Sequence, residues 1–295
     1  MDGSKKSLSE NNERILLRNR RSIDFSEAPL IMGILNSTPD SFFSESRSNG
    51  MGKEKAREII DNGADILDIG GESTRPGSEY VSTEEELERV IPLIEAVRSF
   101  SDIPVSIDTR KKEVAKAALK AGADIINDIS ALMDDPEMAD LAAEKDVPVI
   151  LMHMRGNPKT MQKNPHYRDV INEIIDELEV SINNALKKGI KKEKIIIDPG
   201  IGFGKRFEDN LRIIHDLKKI KEIGFPLLMG LSRKSFIGEI LKNTPGIEVA
   251  NRLAGTITAN VLSVLNGADI LRVHDVGAAR DMIKVIKAIG AEGNL

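Results

Sequence analysis

Each β-branched apolar run in this 295-residue sequence hands over to side chains that can bind or react. Asn36-Ser37-Thr38-Pro39-Asp40 follows the run 30–35, and Glu72-Ser73-Thr74-Arg75-Pro76 follows 65–70. Asp108-Thr109-Arg110 ends the run from 104, Asn127-Asp128 the run from 124, and His153 follows 147–152. Asp198 opens the glycine-rich stretch DPGIGFGK (198–205), Ser232-Arg233-Lys234 follows 226–230, and Arg272 and His274-Asp275 end the run from 269. Carboxylates such as Asp108 and Asp198 accept hydrogen bonds, the carboxamide of Asn127 does both, and the Lys234 ammonium donates. Such a set can read the donors and acceptors of a polar ligand. It does not suggest covalent catalysis, because cysteine is absent and no Ser/His/Asp triad signature occurs. DPGIGFGK is not a dinucleotide fingerprint either: the third-glycine spacing and the downstream ribose acid are missing.

The elements that must position these residues alternate. Eight strand-like runs (30–35, 65–70, 104–108, 124–127, 147–152, 194–198, 226–230 and 269–273) are separated by helical stretches such as 83–98, 112–121, 170–188, 209–220 and 249–265. That count and size predict a single-domain (β/α)8 TIM barrel of class α/β, with a doubly wound sheet as the other possibility. Three helices end in Gly-Ala-Asp (63–65, 122–124, 267–269), where glycine supplies the left-handed turn into the next strand. These joints belong to the stability face. Residues 15–25 (ILLRNRRSIDF) predict a hairpin closing the barrel bottom, residues 1–14 are expected to be disordered, and 15–295 form the barrel domain.

In such a barrel the strand C-termini face the site, so Asp108, Asn127, Asp198 and Lys234 converge in its mouth. Singly, an Asp there could cap a turn or pair with Arg110 or Lys205; four together point to a pocket. Arg272 and His274, one residue apart, project to the same side. His274 could also be a structural histidine, and Phe203 simple core packing. His166 and His215 read as surface residues, and His153 is given no catalytic role.

Composition narrows the function. With 42 basic against 47 acidic residues the formal charge is −5, which excludes a broadly basic nucleic-acid binder. Arg75, Lys205, Arg233, Lys234 and Arg272 nonetheless predict a locally basic mouth. Aromatic residues are 3%, so stacking cannot be the main source of ligand affinity. No apolar run is long enough to span a bilayer, and the lack of cysteine fits a reducing, cytoplasmic setting.

The chain resembles the dihydropteroate synthases, a family of folate-pathway enzymes. The matching segments are MGILNSTPDSFF (32–43), DIGGESTRPGS (68–78), SIDT (106–109), NDIS (127–130), LMHM (151–154), DPGIGFGK (198–205), GLSRKSFIG (230–238) and RVHDV (272–276), in family order and spacing. The resemblance implies condensation of 6-hydroxymethyl-7,8-dihydropterin pyrophosphate with p-aminobenzoate by an SN1-like route, usually with Mg2+, in a sulfonamide-targeted enzyme that is commonly a homodimer. It further implies a pterin pocket of Asp108, Asn127, Met152, Asp198, Phe203 and Lys234. Asn36, Thr74, Arg75, Arg272 and His274 would form a pyrophosphate site, with Asn36 also on the metal. Phe42, Pro76 and Ser235 would receive p-aminobenzoate. Catalysis would fall to Asp108, Lys234, Arg272 and His274. The first loop departs from the family: Phe43-Ser44-Glu45-Ser46-Arg47 stands where Asp-Gly-Gly is common. A pterin-binding methyltransferase domain or a non-catalytic pterin-binding paralogue are the alternatives; the first has no need of the pyrophosphate cations.

Overall fold

The computed structural model describes residues 14–18, 21–37, 50–73, 78, 80–242 and 252–291. A hairpin comes first: β1 (Arg14–Leu16) pairs antiparallel with β2 (Ser22–Asp24), Ile15 opposite Ile23. It begins at Arg14, one residue before the expected start of the domain; the rest of the expected disordered stretch lies outside the described residues. Strands and helices then alternate. They are β3 (Leu30–Asn36), α1 (Met51–Asp61), β4 (Ile66–Gly70), α2 (Thr83–Arg98), β5 (Val105–Asp108), α3 (Lys112–Ala121), β6 (Ile125–Asp128), α4 (Met138–Lys145), β7 (Val149–Met152) and α5 (Val170–Lys187). The second half adds β8 (Ile195–Asp198), α6 (Phe207–His215), α7 (Leu217–Lys221), β9 (Leu228–Met229), α8 (Ser235–Ile240), α9 (Leu253–Leu265), β10 (Ile270–Val273) and α10 (Val276–Ala291).

Strands β3 to β10 lie parallel in the order β8-β7-β6-β5-β4-β3-β10-β9. A bridge between Ile197 and Leu227, with the Ile197 N–H on the Pro226 carbonyl at 2.9 Å, joins the ends into the predicted (β/α)8 barrel.

Both faces of these strands are covered, which is why they read as near-continuous apolar runs. Alternation sorts the side chains. Ile31, Leu67, Ile107, Val149, Ile197 and Leu271 face the helices in the main core. Met32, Ile66, Ile125, Ile150, Ile196, Leu228 and Ile270 point inward and pack together, and the hairpin's Ile15, Leu17 and Ile23 close this layer from below, as the sequence predicted. Two residues on from each inward side chain, at the same phase of the strand, stand Ile34, Asp68, Asn127, Met152, Asp198, Gly230 and Arg272. The upper layer of the barrel is therefore the site.

Several element bounds change in detail, the strand expected over 147–152 starting at Val149. The helix expected over 209–220 is two, because the chain leaves helical geometry at Asp216 (φ −99, ψ 19). It also starts earlier, at Phe207, where the Asp209 carboxylate accepts the Arg206 N–H at 2.9 Å. The strand expected over 226–230 narrows to Leu228–Met229, and α9 starts at Leu253 rather than 249, residues 249–251 lying outside those described. The three Gly-Ala-Asp joints behave as expected, with φ of +96, +120 and +99 at Gly63, Gly122 and Gly267. Among the described residues, no helix is long and apolar enough to cross a membrane.

Candidate active site

Five strand ends and the turn into α8 build one recess at the top of the barrel. It is lined by Asp108 of β5, Asn127 of β6, Met152 of β7, Asp198 of β8, Lys234 at the start of α8 and Arg272 of β10, with Phe203 as a wall. The six residues expected to form the ring pocket thus come together. Register explains part of this: Asp108 pairs with Asn127, and Met152 with Asp198, so each pair sits at one height. The Lys234 ammonium lies 4.2 Å from the centre of the Phe203 ring, a cation–π contact that fixes both at the recess edge. Phe203 also packs on Met152, Ile129 and Met161, so its core role and its pocket role coincide.

The electrostatics centre on Arg272. Its Nε donates to Asp68 at 2.6 Å and its Nη2 to Asp108 at 2.7 Å. Burial, opposed by Arg272 and reinforced by Asp68, pushes the Asp108 carboxyl up to about 7. Burial also raises Asp198, against the Gly200 N–H that its Oδ1 accepts at 2.7 Å and against the charge of Lys234. Burial disfavours the Arg272 cation, but the two carboxylates outweigh it and raise its pKa.

Asn36 and His274 line a second, adjoining recess with Arg233, Asp275 and the first turn of α10; Ile34 borders both. Arg272 and His274 therefore open on different recesses, whereas the sequence placed them on one side. The reason is that β10 ends at Val273: Arg272 keeps the inward phase of Ile270 and reaches the acid pair, whereas His274 stands in the turn into α10. The His274 ring is placed by Ser232, whose Oγ lies 3.0 Å from Nδ1 and accepts the His274 N–H at 3.2 Å. Ser235 is exposed at the first position of α8. Phe42, Thr74, Arg75 and Pro76 lie outside the described residues.

The expected basic mouth is not a set of uncompensated cations. Arg233 pairs with Asp275 at 2.6 Å, Arg272 holds two carboxylates, and Lys205 is buried against His153. The turn-cap alternative holds in part: Asp198 does accept a turn amide, but neither Asp108 nor Asp198 pairs with Arg110, which binds Glu72 and Asp134. His166 and His215 are exposed, as expected. Sequence reading missed Asp68, fully buried on β4. Its signal was present: it lies two residues after the inward Ile66, at the phase shared by Asn127 and Asp198.

Comparison with known proteins agrees with this geometry. The family described as "Pterin binding enzyme" matches residues 32–274. A curated dihydropteroate synthase of Synechocystis sp. is 47% identical over 268 residues, covering 90% of this chain and 92% of that protein. The structure of a Xanthomonas albilineans dihydropteroate synthase with 4-aminobenzoic acid superposes with a TM-score of 0.87 at 42% identity, covering 95% of this chain and 99% of that one. A structure from the same organism in complex with 7,8-dihydropteroate gives 0.81 at 40% identity, covering 92% and 97%.

Proposed function

The chain belongs to the dihydropteroate synthase family, and from that membership we propose how its barrel mouth carries out the family's reaction. The enzyme is a transferase that condenses 6-hydroxymethyl-7,8-dihydropterin pyrophosphate with p-aminobenzoate, giving 7,8-dihydropteroate and pyrophosphate. The observation that carries the residue assignment is the convergence of Asp108, Asn127, Asp198 and Lys234 on one recess.

The pterin lies in that recess against Met152 and Phe203. Its N–H donors meet Asp108, Asn127 and Asp198, and its carbonyl meets Lys234. The arylamine is neutral at pH 7 and already nucleophilic, so no strong base is needed; departure of the diphosphate is the hard part. The C–O bond to the diphosphate breaks ahead of C–N formation, the dihydropterin stabilises the carbon left behind, and Asp108 supports that charge. The amine lone pair then takes the carbon, and its proton passes to solvent. Asn36, Thr74, Arg75 and His274 hold the diphosphate. Arg272 assists through Nη1, which makes neither of the two carboxylate bonds. Phe42, Pro76 and Ser235 receive p-aminobenzoate.

Mg2+ suits this donor set. No group of three His, Asp or Glu is gathered as a cage among the described residues, and Mg2+ characteristically keeps water and substrate phosphate oxygens as ligands. Asn36 would supply a carboxamide oxygen to it at the second recess, and the bound ion would offset charge on the leaving diphosphate.

Residues 15–295 act as one domain, a reading supported by the core that the hairpin shares with the barrel strands. A homodimer is supported by exposed Leu262 and Leu265 on α9 and Val285 and Ile289 on α10. A cytoplasmic setting is supported by the cysteine-free composition.

Pyrophosphate release is the test. Purified protein with Mg2+, the pterin diphosphate and p-aminobenzoate should release it, and Asp108→Asn should slow release at least tenfold. Wild-type turnover retained in Asp108→Asn would remove Asp108 from the mechanism.

A further inference from the structure

Behind the wall of the ring recess lies a buried cation that the proposed mechanism does not use. Lys205 is 2% exposed and closes the turn after β8. An ammonium has three donors, and three acceptors meet this one: His153 Nδ1 at 2.9 Å, the Phe203 carbonyl at 3.0 Å and the His153 carbonyl at 3.3 Å. Since Nδ1 accepts from Lys205, the imidazole carries its proton on Nε2, which donates to Glu177 at 3.0 Å. Burial and the charge of Lys205 pull His153 down to about 4, so the ring stays neutral and remains an acceptor.

The acceptors belong to the two turns that wall the recess. His153 follows Met152, the Phe203 ring lines the recess in the same cluster as Met152, and the His153 N–H donates to the Asp198 carbonyl at 2.8 Å. These turns touch so closely that a Cβ on Gly200, where φ is +68, would lie 1.9 Å from the His153 carbonyl oxygen. Lys205 is fastened across that contact. The charges acting on it are Asp198 and Glu177, which favour the ammonium, and Lys234 and Arg155, which oppose it; Asp209 of α6 also feels it. Asp198 in turn faces Lys234, Lys205 and Arg272, all acting against its burial.

We propose that Lys205 is a positioning residue for the ring pocket: it ties the turns after β7 and β8 together and stands as a positive charge behind Asp198, keeping that carboxylate an acceptor for ring N–H groups. This rests on the ring-binding reading of the recess. Burial pulls the Lys205 ammonium down to about 7, with Asp198 resisting. Its charge is therefore complete on the acid side, where a carboxyl raised by burial is the more prone to take up a proton, and fades at higher pH.

Calorimetric titration with 6-hydroxymethylpterin from pH 5 to 9 tests this on the full chain. Lys205→Met should move the acid limb of pterin affinity upward by about one pH unit, weakening binding about tenfold on that limb. Lys205→Gln, which also removes the charge but keeps a donor for the carbonyls, should move it likewise and serves if the Met variant does not fold. In an Asp198→Asn background the limb that Asp198 contributes is gone, and the limb that remains, that of Asp108, should not move on the same substitution. An unmoved limb in a folded Lys205 variant, or an equal shift in the Asp198→Asn background, overturns the inference alone. Wild-type protein that binds no pterin overturns the ring reading and this inference with it.

Discussion

Arg272 of β10 reaches across β3 to Asp68 of β4, donating from Nε at 2.6 Å to a carboxylate with no solvent exposure. The same guanidinium holds Asp108, so one cation serves two buried acids. Removing a partner from such an arrangement leaves charge unpaired in a poorly solvated place. Asp68→Ala should therefore cost about 3 kcal/mol of stability by this reasoning, read from denaturant unfolding. It should also lower kcat/KM, because Arg272 loses the anchor that aims it at Asp108. An Asp68→Ala protein with wild-type stability and activity would show that Asp108 alone orients Arg272.

The Asp108 carboxyl, pushed up to about 7 by burial, gives a pH dependence whose sign is fixed. Its folded pKa lies above the unfolded value of 3.8, so between about pH 4 and 7 the folded state holds a proton that the unfolded state has released. Stability therefore falls as pH rises through that window and is level above it. Asp128, raised to about 6 by burial, adds a slope of the same sign over a narrower range. Activity runs the other way, because the ionised carboxylate is the form that supports the pterin, so kcat/KM should climb through an acid limb near neutrality. Unfolding and kinetics of Asp108→Asn across this range check both: the stability slope should diminish to the share of the remaining acids, and the limb near neutrality should be lost with most of the activity.

Much of this was legible in the residues, and the failures share a physical origin. Alternating apolar and helical stretches gave eight strands and the barrel, since parallel strands covered on both faces must be apolar throughout. The ends Asp108, Asn127 and Asp198 stood out because polarity begins where the strand ends. Asp68 did not, because it lies inside an apolar run and becomes visible only once the inward phase is set by Ile66. Lys205 was read as a basic group at the mouth. A lysine's sequence position does not reveal that its ammonium is turned inward onto His153. The break at Asp216 was also hidden, since both helices it separates bury Ile213, Ile214, Leu217 and Ile220 at spacings one helix would allow.

Lys234 sets the edge of the recess through its contact with Phe203, 4.2 Å from the ring centre. Its proposed partner is a neutral carbonyl of the pterin, and a hydrogen bond to a charged donor contributes about 1.5–3 kcal/mol. Lys234→Ala should accordingly lower kcat/KM by a factor of about ten to a hundred. Lys234→Arg should recover little, since the longer, planar guanidinium keeps the contact with Phe203 but does not place a compact point charge at the ring carbonyl. Steady-state pyrophosphate release by both variants is the measurement; near-normal turnover in Lys234→Ala would mean that the ring carbonyl lies elsewhere.

At the opposite end of the barrel, Asp124 follows Gly122-Ala123 and is 1% exposed. Its Oδ2 accepts the Val105 N–H at 3.0 Å and Arg98 at 2.7 Å, and its Oδ1 accepts Arg21 at 2.5 Å. Arg98 also donates to the Gly122 carbonyl at 2.9 Å, so helix end, strand start and hairpin connection meet at one carboxylate. The other two joints repeat the device: Asp65 accepts the Ile31 N–H and Arg280, and Asp269 accepts the Leu227 N–H and Lys221. Replacing Asp124 by Ala takes the carboxylate from two guanidinium groups, which keep only backbone carbonyls, and from a buried amide, a loss of about 4 kcal/mol on the scale of broken buried ion pairs. None of these atoms lines either recess at the other end of the barrel. Asp124→Ala should thus lose stability in urea unfolding while its kcat, per folded molecule at low temperature, stays within about twofold of wild type. A large fall in kcat with stability unchanged would show that the bottom of this barrel takes part in catalysis, contrary to the division of labour between its two faces.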